Sequence, residues 1–295
     1  MKPAHDHLDG VAVGSMLLCT ALWGLNQVAI KAVLPDVSAL VQLSLRSGIA
    51  AVLVLAWMRW RGIRWADGVP TWKPGLLAGV FFAAEFALIF LGLQHTTAAR
   101  AVVFINTSPF IVALLLAWLV PAERLRPLQV AGLVVAFGSL VLAFGEGIAG
   151  GSWVGDAMIV GAAALWGLTT VVIRMSSLRQ APPEKTLAWQ LIVSALLSPL
   201  GAWWMGESWP AQWSPLALLS VFYQAVIVTF ASYLLWFWLL TRYPATKVQA
   251  FTFLAPVFGT AWATTLLGET LTTRLLLGLA GVAVGLTLLS RRRPA

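Results

Sequence analysis

Apolar residues along this chain gather in runs of roughly 20, the length a helix needs to cross a bilayer. Charge, proline and glycine separate the runs. Ten are read, at about 11–30, 37–57, 75–93, 97–119, 127–144, 155–174, 186–205, 215–240, 245–267 and 272–290. The connections are short and leave no room for a soluble domain, and no low-complexity tract intervenes. The first run is as long as a full span and no small-x-small site follows it, so it is read as a span and not as a cleaved leader.

Composition narrows the class. Of 295 residues, 60% are hydrophobic and 10% charged, and the mean hydropathy is +0.86. A soluble domain averages roughly 45–50% apolar and about 25% charged. A soluble enzyme, a disordered protein and a coiled coil are thereby excluded. The single cysteine, Cys19, permits neither an internal disulfide nor a cysteine metal site.

The net charge of +8 divides by location. With the N-terminus placed in the cytoplasm, inside loops collect 15 of the 19 Lys and Arg, including Arg59, Arg61, Arg64, Arg124, Arg126, Arg242, Lys247 and residues 291–293. Outside loops hold only Lys31, Arg100 and Arg274, while Arg46 lies within the second run. That asymmetry predicts both termini in the cytoplasm. It also makes the basic excess a topology signal and not a nucleic-acid footprint. Ten of the sixteen tryptophans, Trp57, Trp60 and Trp204 among them, fall at run ends, where interfacial anchoring is expected.

The chain also repeats itself. Ala21-Leu22-Trp23-Gly24-Leu25 recurs as Ala164-Leu165-Trp166-Gly167-Leu168, and Lys31 and Arg174 close the two copies. Ala98 to Pro109 aligns with Ala245 to Pro256, and each is followed by a loop glutamate, Glu123 or Glu269, and a glycine, Gly132 or Gly278. Five spans per half is an odd number, so the second half must enter the membrane in the opposite sense. The predicted fold is an all-α membrane protein of ten transmembrane helices in two inverted five-helix repeats, 1–148 and 149–295. Inverted repeats suit alternating access, because one fold in two orientations yields two conformations that exchange roles.

The two Ala-Leu-Trp-Gly signatures and the Pro109/Glu123 and Pro256/Glu269 blocks resemble the paired EamA-type repeats of the drug/metabolite transporter superfamily. The resemblance covers residues 11–290, and within the superfamily the chain looks most similar to YddG-type amino-acid exporters of bacterial inner membranes. It implies ten helices, a cavity between the halves, and efflux of amino acids, aromatic ones included.

Candidate site residues come from polar groups inside the spans. Only Arg46 and Glu85 are ionisable there, and burying such groups costs roughly 2.5–3.5 kcal/mol each on insertion scales. Glu85 is read as a partner for a substrate ammonium or as a protonatable coupling group; the alternative is a structural acid, protonated or paired with Arg46. Trp23 and Trp166 each precede a glycine, with Asn26 and Thr169 one turn on. Cavity lining and helix packing both account for that pattern. Phe82, Asn106 and Tyr233 complete the expected substrate site. Pro109 and Pro256 are expected hinges, or bare kinks, freeing the carbonyls of Ile105 and Thr252.

His5-Asp6-His7 is too sparse for a metal site, and no cofactor is expected. The absence of a Gly-x-x-x-x-Gly-Lys-Ser/Thr loop argues against hydrolytic energy. The expected function is therefore secondary export of amino acids and related metabolites across the bacterial inner membrane, proton-driven or downhill. A cationic-drug exporter is the alternative, since Glu85 with Phe82 and Trp23 suits a cation. An intramembrane enzyme is remote, because no catalytic constellation lies within the spans. Lipid is an expected contact, and both monomer and homodimer are compatible with the Gly281/Gly285 stripe.

Overall fold

A computed structural model describes residues 9–65, 68–119, 127–150, 152–243 and 251–290. His5, Asp6, His7, Glu123, Arg124, Arg126, Lys247 and residues 291–293 lie outside them, so the metal, topology and repeat expectations at those positions have no structural counterpart.

Every element among the described residues is helical. In chain order these are α1 (Gly10–Ala32), α2 (Ala39–Trp60), α3 (Trp72–Gly92), α4 (Ala98–Ile105), α5 (Ser108–Leu119), α6 (Pro127–Gly150) and α7 (Trp153–Met175). A 3₁₀ turn (Ser177–Gln180) leads to α8 (Pro183–Trp204) and α9 (Pro215–Phe222), then to a π-helical segment (Tyr223–Ser232) that continues into α10 (Tyr233–Arg242). A second 3₁₀ turn (Phe251–Leu254) precedes α11 (Ala255–Leu267), and α12 (Thr273–Ser290) closes the chain.

Lipid cannot satisfy backbone N–H and C=O groups, so an apolar run must bond to itself as helix. Seven segments among the described residues are long and apolar enough to cross a membrane: Gly10–Ala32, Ala39–Trp60, Trp72–Gly92, Ala98–Leu119, Trp153–Met175, Pro183–Trp204 and Pro215–Trp236. The helix ends follow ordinary chemistry. The Asp9 carboxylate accepts from Ala12 N at 2.8 Å and caps α1, while Gly268, with φ 65°, ends α11 in the left-handed region that glycine enters without strain. Most of the run-end tryptophans project outward, Trp204 being 86% exposed, while Trp57 and Trp213 are half-buried.

The helices pack in a cross-connected bundle. α2 lies against α8 and the π segment, α3 against α7 and α8, and α1 against α11 and the π segment; α5 joins α7, and α6 pairs with α12. Contacts of α2 and α3 with α7, α8 and the π segment therefore form a long seam between residues 1–148 and 149–295. Two acids bridge that division at the helix ends. Glu207 Oε2 accepts from Leu40 N and Val41 N, at 2.8 and 3.1 Å, at the start of α2. Glu269 accepts from Ala98 N and Ala99 N, at 2.8 and 2.9 Å, at the start of α4. Each carboxylate satisfies N–H groups that a helix cannot satisfy internally, at the dipole end that favours negative charge.

The prolines act differently from the expected mid-helix kinks. The helix stops at Ile105, Thr107 folds back on Phe104 O through both its N–H and its hydroxyl, and Pro109 is the second residue of α5. Pro256 likewise sits in the first turn of α11. Both open a new helix, where the missing N–H is no loss.

Candidate functional site

A group of buried polar side chains gathers at the interface of α2 with the π segment, next to α3. At one end, Gln224 Nε2 donates to Gln42 Oε1 at 3.1 Å and to Ser220 Oγ at 2.9 Å. One turn along α2, Arg46 Nε donates to Thr229 Oγ1 at 2.7 Å. The Thr229 hydroxyl in turn donates to Gln224 O at 2.8 Å, five residues back, as the wider π winding allows. Long π segments are rare, and they concentrate at functional positions.

Arg46 is 1% exposed, and its guanidinium lies over the Phe86 ring, Cζ standing 3.8 Å from the centroid. Phe86 stacks on Phe82 with centroids 4.6 Å apart. Glu85 and Tyr233 both lie within electrostatic reach of the same guanidinium. Glu85 is 5% exposed, and among the described residues it makes no ion pair with Arg46 and receives no hydrogen bond. The two intramembrane charges are thus neighbours without being a salt bridge.

Trp23 borders this cluster from α1. Its Nε1–H donates to Ser232 Oγ at 2.9 Å, and its ring meets those of Trp236 and Tyr233 edge-on, with centroids at 5.4 and 6.5 Å. Asn26, one turn on, is buried with its Oδ1 unpartnered. Trp23, Phe82, Glu85 and Tyr233 are therefore brought together around Arg46.

The remaining expected residues stand apart. Asn106, expected in the substrate site, donates to Val102 O at 2.7 Å and so serves the end of α4. Thr169 is buried with its hydroxyl bonded to Leu165 O. Trp166 is 41% exposed and makes no ring contact among the described residues. The repeated tryptophan is thus used inwardly in one half only. Its companion glycine meets backbone and not a ligand: a Cβ on Gly24 would fall 2.6 Å from Gly259 N.

Sequence reasoning flagged Arg46 only as a mid-span charge and missed Thr229, Gln42, Gln224 and Phe86. The one legible signal of Thr229, Gln42 and Gln224 is polarity inside otherwise apolar runs, and Phe86 carries none. Beyond the cluster, Trp57 packs against Phe230 with centroids 6.3 Å apart, at the inner end of a cleft of about 360 Å³. Arg61, Glu184, Leu234, Trp238 and Arg242 line the cleft. Trp57 is consequently part of a cleft wall as well as a run-end tryptophan.

The model of the EamA-like transporter family matches residues 11–145 and 153–291. An uncharacterized transporter of Archaeoglobus fulgidus is 25% identical over 259 residues, 86% of this chain and 88% of that protein. The probable amino-acid metabolite efflux pump of Salmonella typhimurium is 28% identical over 285 residues, covering 92% and 91%. A solved structure, described only as the crystal structure of a protein, is similar in fold. Its TM-score is 0.64 at 22% identity, over 96% of this chain and 99% of that one.

Proposed function

The chain belongs to the EamA-like transporter family of the drug/metabolite transporter superfamily, and from that premise we propose that it exports amino acids by alternating access. It is a transporter by family and a multi-pass membrane protein by its apolar helices. Carrying the substrate reading is the seam between the two halves, where a guanidinium, Arg46, and a carboxyl group, Glu85, are buried within electrostatic reach of each other without an ion pair. A zwitterion needs one partner of each sign. The efflux-pump name of the Salmonella relative points the same way.

In this reading ten helices form two inverted repeats, with both termini in the cytoplasm of a bacterial cell and Pro109 and Pro256 at paired hinges. Repeat-equivalent residues meet only near a two-fold axis. Ser47 Oγ lies 2.8 Å from Ser194 Oγ, 147 residues apart, the same offset that relates Ala98 to Ala245. That contact supports an axis between α2 and α8. With Cys19→Ala removing the native thiol, Ser47→Cys combined with Ser194→Cys is expected to form an intramolecular disulfide under mild oxidant. Two free thiols persisting in titration of the denatured protein would count against the axis.

The functional test is counterflow of labelled polar and aromatic amino acids in liposomes holding only this protein. No exchange of any of them would end the amino-acid reading. Glu85→Gln then decides coupling: if Glu85 carries the proton, uptake by this variant is no longer stimulated by a pH gradient. Stimulation equal to the unaltered chain would remove Glu85 from that role.

A further inference from the structure

The Arg46 guanidinium is oriented by the protein and yet unused by it. Thr229 Oγ1 accepts from Nε, and Phe86 covers one face of the plane. The Tyr233 hydroxyl lies beside the guanidinium, but among the described residues Nη1 and Nη2 are buried with no acceptor at hydrogen-bond geometry. Glu85, the carboxylate of α3, makes no ion pair with it. Gln42 spends its amide on Gln224 and on Val37 O, and Gln224 spends its Nε2 on Gln42 and Ser220. The Gln224 Oε1 stays unpartnered and receives nothing from Arg46. A buried charge left without partners is costly enough to call for a function. What remains is a fork of parallel N–H donors in one plane, the geometry that matches the two oxygens of a carboxylate.

We infer that Arg46 is the carboxylate anchor of the transported molecule. The substrate carboxylate takes the Nη1/Nη2 fork, and Glu85 takes the ammonium. Cargo must then carry a carboxylate, and cations that lack one are not carried. Phe86 and Phe82 supply an aromatic wall beside the fork, suiting an apolar or aromatic side chain. The anchor is buried in this conformation, so it is loaded when the halves part along the seam and is covered again when they close. This inference rests on the amino-acid reading and sharpens it, because it assigns the two ends of the zwitterion to two residues.

Counterflow of labelled phenylalanine tests it on the unaltered chain. Phenethylamine and phenylalanine methyl ester, which keep the ammonium and lose the carboxylate, are expected to compete at least about 10-fold more weakly than phenylalanine, as a lost charged hydrogen bond dictates. Arg46→Gln is expected to raise the half-saturation concentration about 10- to 100-fold. Arg46→Lys, which keeps the charge and loses the fork, is expected to fall between. Phenethylamine competing as well as phenylalanine would overturn the anchor and leave the transporter standing. Failure of the unaltered chain to exchange any amino acid would end both. The competition needs no variant, so a misfolded Arg46→Gln cannot shield the inference.

Discussion

Asp156→Ala is expected to lower stability by about 3–5 kcal/mol, the cost of removing one partner from a buried ion pair. Asp156 is fully buried, and its carboxylate gathers Arg100 of α4 and Thr96 of the turn before it. Arg100 donates through Nε to Oδ1 and Oδ2, at 3.0 and 3.1 Å, and through Nη2 to Oδ2 at 2.6 Å. The Thr96 hydroxyl donates to Oδ1 at 2.5 Å. The node therefore ties the start of α4 and the turn before it to the first turn of α7, across the seam between the halves. Lys31 strengthens the same corner by donating to Leu93 O and to Thr96 O. Alanine leaves Arg100 without this carboxylate and Thr96 without its acceptor. Thermal unfolding in detergent measures the loss. Replacing both charges, Arg100→Met with Asp156→Leu, is expected to recover most of it, because two apolar groups need no desolvation. A double variant as unstable as Asp156→Ala would show that charge pairing is not what holds this corner.

Gly24→Val is expected to cost about 3 kcal/mol, the upper part of the usual overpacking range. The obstruction is backbone: a Cβ at Gly24 would lie 2.6 Å from Gly259 N and 2.8 Å from Ala255 O. No rotamer change relieves such a contact, so α1 must separate from α11. Gly259 in turn packs against Val102 of α4, where a Cβ would fall 2.7 Å from the valine side chain, so the displacement passes on to a third helix. Gly14→Ala on the same helix is the control. Nothing lies within 4 Å of a Cβ there, and alanine is the better helix former by up to about 1 kcal/mol. Equal effects of the two substitutions on the detergent melting temperature would refute the close approach. Counterflow should follow the same order, since Trp23, next to Gly24, reaches the site through Ser232.

Membrane class, approximate helix positions and family were legible along the chain because each follows from local rules. A run of apolar residues must satisfy its own backbone in lipid, whatever its neighbours do. The recurrence of Trp23-Gly24 as Trp166-Gly167 was legible too, since an identity needs no coordinates. The two mid-span charges announced themselves by cost alone.

What each residue does there depended on helix rotation and crossing, which apolar composition does not encode. A soluble helix marks its inner face with a stripe, whereas a membrane helix is apolar all round and carries no such mark. Trp23 and Trp166 are indistinguishable in their local sequence, yet one hydrogen-bonds Ser232 beside the charged cluster and the other is 41% exposed. Pro109 and Pro256 read as hinges or kinks, and only the backbone revealed that each stands second in its helix, α5 or α11. The π winding that lets Thr229 reach both Gln224 O and Arg46 has no signature in Tyr223–Ser232 itself. By itself, then, the sequence determined that Arg46 and Glu85 are buried in the membrane. Only the tertiary packing decided that they are neighbours without pairing, with the guanidinium held by Thr229 and Phe86 and its fork left open. Solvation cost is a property of one residue in one medium, whereas hydrogen-bond satisfaction is a property of several helices at once.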